Sequence, residues 1–183
     1  VLHPLLRTFL IRRLIREDPE NFRAVASESA RFLISQEDWD AAFQVIAEHS
    51  ISELLVTLVS SALDDLLAEG RTQTLTNWLD FAERQHLSDP SLDFAEAEVA
   101  FRQARFAKAE TLAAQAAATG GGIFMPRMLI RAGQSAVMDS RDRKGLEYFR
   151  AAQKVAELDT DRLEADVGAC FAALELGLVE EAS

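Results

Sequence analysis

Phe94-Ala-Glu-Ala-Glu98-Val-Ala-Phe-Arg102-Gln-Ala104-Arg-Phe106-Ala-Lys-Ala109-Glu-Thr-Leu-Ala113-Ala-Gln-Ala116 decides the fold. Small and apolar residues recur at helical spacing on both sides of a short interruption at Ala104. After it, Ala109, Ala113 and Ala116 fall on one face of a helix. A face of such small side chains lets that helix lie close against its neighbour. The same arrangement recurs along the chain. Its turns fall at Glu37, Gly70, Ala104, Ser140 and Gly177, at intervals of 33, 34, 36 and 37 residues. Five positions after each turn stand Ala42, Leu75, Ala109, Gly145 and Ala182; four further on stand Ile46, Leu79, Ala113 and Phe149; three more bring His49, Ala82, Ala116 and Ala152.

A period near 34 residues with two helices in each unit is the tetratricopeptide spacing. The expected fold is therefore all-α, a right-handed α-solenoid of tetratricopeptide-like helix–turn–helix repeats with about ten helices. The strict consensus is met only in part, since the first-helix aromatic and the Leu-Gly pair are mostly missing. The competing reading is an irregular helical bundle. Individual helices are expected over 2–14, 19–35, 38–49, 52–67, 72–85, 90–102, 105–118, 125–139, 142–156 and 159–176. Asp18-Pro19 and Asp89-Pro90 each supply a capping carboxylate followed by a proline that needs no amide partner. Gly120-Gly121-Gly122 is expected to be a loop, because three glycines cost a helix too much backbone entropy. No segment keeps period-two alternation, so no sheet is expected.

Of the 183 residues, 49% are hydrophobic and 27% charged, with a net charge of −11 and a pI near 4.7. Such a surface repels phosphate backbones, so direct nucleic-acid contact is not expected. The charge is uneven: residues 1–23 sum to +2, with Arg7, Arg12, Arg13, Arg16 and Arg23 against Glu17, Asp18 and Glu20, leaving −13 for the rest. Cys170 stands alone, which rules out an internal disulfide and a cysteine zinc site, and it reads as a buried small hydrophobe. No apolar run is long enough for a membrane span and no signal peptide is visible. A cytoplasmic setting is expected, and both ends read as cut from a longer protein.

The opening Leu2-His3-Pro4-Leu5-Leu6-Arg7-Thr8-Phe9-Leu10 resembles the last helix of the winged-helix domain in signal-transduction ATPases of the MalT-like and large LuxR type. Asp38-Trp39-Asp40-Ala41-Ala42 through His49-Ser50 is similar to a phrase of the helical arm that follows in that family, with Glu37 where a glycine is usual. Gly70-Arg71-Thr72-Gln73-Thr74-Leu75 with Trp78-Leu79 resembles the arm's next phrase, and Ala104 to Glu110 resembles the repeat phrase of the sensor region. The likeness covers residues 2–116 and is generic beyond. It implies three parts: 1–16, the end of a truncated winged-helix domain; 17–88, the arm; and 89–183, truncated tetratricopeptide-like repeats. It also implies ATP or ADP as cofactor of the parent protein and none within this segment. Under the resemblance His3 contacts the nucleotide phosphates in the intact parent, although Pro4 replaces the acidic neighbour found in some relatives.

Catalytic candidates are absent. No Ser/His/Asp or Cys/His arrangement can be assembled, and the triple glycine lacks the Lys-Ser/Thr of a phosphate loop. His49 and His86 lie at expected helix ends, where an imidazolium favours the dipole; Asp159, Asp161, Glu164 and Asp166 enrich a helix start for the same reason. Asp64-Asp65 and Glu180-Glu181 read as solvent-facing, and Met125, Met128 and Met138, with Phe124 and Ile130, as core. In helical-repeat arrays the first helix of each unit lines the concave face. Exposed Arg102, Arg127 and Arg131 are the ligand-contact candidates there. The functional expectation is a non-enzymatic arm and sensor segment that binds a small-molecule inducer or protein partner and couples it to nucleotide state. The alternative is a freestanding protein-interaction scaffold.

Overall fold

The computed structural model describes residues 9, 13, 16–120 and 122–178. Among these the protein is all-helical, with nine α-helices, two short 3-10 turns and no strand. The helix expected over 2–14 lies outside the described residues apart from Phe9 and Arg13, so nine helices stand where about ten were expected. They are α1 (Pro19–Ser35), α2 (Trp39–Glu48), α3 (Leu55–Ala68), α4 (Thr72–Arg84), α5 (Pro90–Arg102), α6 (Phe106–Ala118), α7 (Met125–Met138), α8 (Asp142–Val155) and α9 (Asp159–Glu175). Both expected aspartate–proline caps form. Asp18 Oδ1 accepts from the Asn21 amide at 3.1 Å and Asp89 Oδ1 from the Ser91 amide at 2.8 Å.

The five repeat-phase turns share one conformation. Glu37, Gly70, Ala104, Ser140 and Gly177 have φ of 58°, 71°, 55°, 58° and 72°, the left-handed region. At each, two backbone bonds close the preceding helix. The Ala104 amide donates to the Phe101 carbonyl and the Arg105 amide to the Ala100 carbonyl, both at 2.9 Å. This is the Schellman arrangement, which satisfies carbonyls a helix would otherwise leave open. It explains why the sequence shows a small or polar residue there. Ser50 and His86 adopt the same conformation, at φ 53° and 55°, in the turns that follow α2 and α4.

Two compact units divide at Ala62 and Leu63. In the first, α1 packs on α2, and both touch the 3-10 turn Ser52–Leu54 that precedes α3. The Phe22 ring meets His49 edge-on at 4.9 Å, and Arg23 pairs with Glu53 at 3.0 Å. In the second unit each helix from α4 to α9 packs on the next, and α5 with α7 and α7 with α9 also touch. Ala42, Leu75, Ala109 and Gly145 are all buried, as are Ile46, Ala113 and Phe149 four positions on and Ala82, Ala116 and Ala152 three further. Leu79 and His49 are half-buried, and Ala182 lies outside the described residues.

The tightest packing surrounds Phe149. A Cβ added at Gly133 on α7 would lie 2.8 Å from its ring, and one at Gly168 on α9 only 2.4 Å. Two glycines thus let α7 and α9 close on a ring carried by α8. Ile130, Leu146, Ala165, Ala169 and Ala172 complete this cluster. Three sequence expectations need correction. Met128 is fully buried, but Met125 is half-buried and Met138 is exposed, because Met138 ends α7 beyond the packed stretch. Cys170 is half-buried rather than buried, since the neighbouring turns of α9 are covered on one side only. Part of the glycine loop is ordered as a 3-10 turn, Gly122–Phe124.

Candidate functional site

Arg102, Arg127 and Arg131 line one cavity of about 300 Å3 in the second unit. Its walls come from α3 (Asp64, Leu67, Ala68), α5 (Phe94, Glu98, Arg102), α7 (Arg127, Ile130, Arg131, Gln134) and α9 (Glu164). All four helices stand first after a loop, and each is closed by one of the repeat-phase turns. Helical spacing does the local work. Glu98 and Arg102 lie one turn apart, as do Arg127, Arg131 and Gln134, so each set projects from one side of its helix.

Glu98 is the centre. Although a glutamate, it is 3% exposed. Its Oε2 accepts from Arg102 Nη1 at 2.6 Å and its Oε1 from Arg131 Nε at 2.7 Å. Two guanidiniums therefore share one buried carboxylate, which compensates its lost hydration. The chain of bonds continues. Arg131 Nη1 donates to Gln134 Oε1 at 2.6 Å, and Gln134 Nε2 donates to Glu164 Oε1 at 2.8 Å. One relay thereby ties α5, α7 and α9 together across the cavity. Beside it Arg127 makes a two-pronged bond to Asp64, with Nη1 to Oδ2 at 3.1 Å. Burial disfavours the charge on Arg127, but Asp64, with Glu98 and Asp161 behind it, more than offsets this and raises its pKa.

The same arginines lie over aromatic rings, Phe94 of the cavity wall and Phe101 and Phe124 beside it. Arg131 lies 4.1 Å over the Phe101 ring, and Arg127 lies 5.8 Å from Phe94 and 5.7 Å from Phe124. Such stacking fixes the guanidinium planes. In charge the lining is balanced, three arginines facing Asp64, Glu98 and Glu164. The cavity is suited to an uncharged or zwitterionic ligand that exchanges hydrogen bonds with amide, carboxylate and guanidinium groups.

The expectation of exposed arginines holds for Arg102 and is corrected for Arg127 and Arg131, which are half-buried. All three are paired, because a guanidinium taken between helices loses hydration that a carboxylate partner must replace. Asp64 remains exposed as expected, yet holds Arg127. The sequence reading missed Glu98, Gln134 and Glu164. The i, i+4 pair Glu98–Arg102 was visible; the contacts to α7 and α9, 33 and 30 residues away, were not. His3 lies outside the described residues.

Two other polar clusters occur in this unit. On α6 and α8, the Tyr148 hydroxyl donates to buried Glu110 at 3.3 Å and Arg141 pairs with the same carboxylate. Burial, with Glu110 adding to it, pushes the Tyr148 hydroxyl above its ordinary pKa. A second cavity has Asp80, Glu83, Asp93 and Glu96 on its walls with Arg105 and Lys108. There Asp93 is raised above the ordinary carboxylate value by burial first, then by Glu96 and Asp89. Among the described residues no group of His, Cys, Asp and Glu could hold a metal ion, and no helix is long and apolar enough to cross a membrane. No protein-family model and no curated protein matches the chain.

Proposed function

We propose that this chain is a non-catalytic ligand-sensing segment, a right-handed solenoid of tetratricopeptide-like repeats whose first helices present the arginine–carboxylate cavity on their inner side. The observation that carries this reading is the relay Arg102–Glu98–Arg131–Gln134–Glu164, which spans three first helices. A ligand that takes over one of these bonds changes the spacing of all three. That gives a binding event the differential contacts between two states that coupling requires.

The resemblance carried by Leu2 to Leu10, Asp38 to Ser50 and Ala104 to Glu110 supports a setting in a signal-transduction ATPase that regulates transcription. In that setting the segment couples an inducer or protein partner to the nucleotide state of a separate module, and His3 contacts the ADP phosphates. The test uses the whole polypeptide that contains this chain. Bound adenine nucleotide is measured in the wild type, in Gln134→Ala and in His3→Ala. The proposal expects nucleotide in the wild type, a changed ligand dependence of its release in Gln134→Ala, and faster release in His3→Ala. A polypeptide that carries no nucleotide overturns the ATPase setting and favours the freestanding scaffold.

A further inference from the structure

We propose that a further cavity, between the start of α7 and the turn joining α8 to α9, is a binding site for a small organic ammonium, a protonated primary amine on an apolar body. It shares no residue with the arginine cavity and goes beyond the sensing role. Its volume is about 530 Å3, within the range that small-molecule sites occupy. Met125 and Pro126 of α7, Val155 at the end of α8 and Leu158 just before α9 supply apolar walls. Met125 can adapt its shape to what enters. Among the described residues the lining carries two carboxylates, Glu157 and Asp161, and no cation.

Asp161 identifies the occupant. It is only 8% exposed, yet among the described residues no hydrogen bond or ion pair reaches its carboxylate. It stands one turn before Ala165 and two before Ala169, on the side of α9 that packs on α7 and α8, so helices of this unit bury it. Nearby cations are committed elsewhere. Arg162 donates to the Ala156 carbonyl at 3.0 Å, and Arg127, close enough to feel the Asp161 charge, bonds Asp64. A buried carboxylate without donors has lost hydration that nothing replaces. Glu98, buried to the same degree, has two guanidiniums instead. An ammonium brings up to three N–H donors and the opposite charge to Asp161, and Glu157 adds to the attraction. Its apolar body covers Met125, Val155 and Leu158. An inorganic cation would leave those walls unused and needs more oxygen ligands than two carboxylates give.

The probes are 2-phenylethylamine and hexylamine, both protonated at neutral pH, with uncharged 2-phenylethanol as the control. Each is titrated against the full chain and followed by calorimetry and by the methyl resonance of Met125. The expected result is saturable binding of at least one amine that moves the Met125 signal, with 2-phenylethanol weaker by about tenfold or more. Asp161→Asn keeps the shape of the side chain and removes its charge, so it should weaken the amine by about tenfold or more. Leu158 is 64% exposed, so the fold tolerates Leu158→Lys, which places an ammonium at the cavity and should weaken the amine as well. Absence of saturable binding by either amine overturns the proposal, as does equal binding of the alcohol. Binding that leaves the Met125 signal in place puts the amine elsewhere and overturns it. Unchanged affinity in a folded Asp161→Asn or Leu158→Lys chain overturns it too, and leaves the carboxylate to the dipole of α9.

Discussion

Glu98 shows how one residue holds a site together. With its carboxylate removed, Arg131 would stay largely buried with only Gln134 to bond. Breaking a buried pair in this way costs about 3 kcal/mol or more. Glu98→Ala is therefore expected to lower stability by that amount in chemical denaturation, whereas Glu53→Ala, which breaks the exposed pair with Arg23, should cost about 1 kcal/mol or less. Asp93 behaves oppositely. Its folded pKa is raised, so the folded state prefers it protonated. The resulting penalty is absent below the ordinary carboxylate range and fully present above its raised value. Asp93→Asn should thus raise the melting midpoint at pH 7, and the gain should fade as the pH drops through that range. A gain that persists in acid would contradict this cause. At this scale the sequence revealed Glu98 with Arg102, one helical turn apart, and the three arginines as candidates. It could not reveal Asp64 with Arg127, 63 residues apart, because nothing local ties them.

Helices and their turns were the more legible level. The repeat phase found at Glu37, Gly70, Ala104, Ser140 and Gly177 has a physical cause, the left-handed residue that closes each helix. Three of the five are not glycine and carry the steric cost of a Cβ there. Ala104 has no polar side chain to offset it. Ala104→Gly should stabilise the chain by about 0.5–1 kcal/mol, the relief of strain less the greater freedom of glycine in the unfolded chain. Gly177→Ala should do the reverse. Packing between helices gives a second check. Ala109 is fully buried at the repeat-phase position of α6, so Ala109→Phe should overpack it by about 1–3 kcal/mol. An unchanged midpoint would count against that register. Gly168→Ala drives a methyl into the Phe149 ring, and adding Phe149→Leu should recover part of the loss. What the sequence did not give was the end of each packed stretch: Met128 and Met138 share a helix, but only one meets a neighbour.

For the molecule as a whole, charge is the simplest determinant. At −11 the chain repels itself, and α9 alone carries five carboxylates against one cation, Arg162. Raising the ionic strength to physiological levels shortens the Debye length to about 8 Å and should raise the melting midpoint, since repulsion among exposed carboxylates is screened more than the buried Glu98 bonds. A midpoint that falls with salt would mean that the exposed ion pairs outweigh the net charge. The all-helical architecture was readable from periodicity; the convergence of four helices on one cavity was not, because it depends on how helices far apart in sequence meet. The Phe149 ring between Gly133 and Gly168 has one more consequence. At each glycine the α-proton that stands where a Cβ would be points at the aromatic ring, whose induced field shifts its magnetic resonance away from ordinary helical positions. The two glycine signals therefore form a built-in reporter, beside the arginine cavity, that registers any ligand that moves α9 against α7.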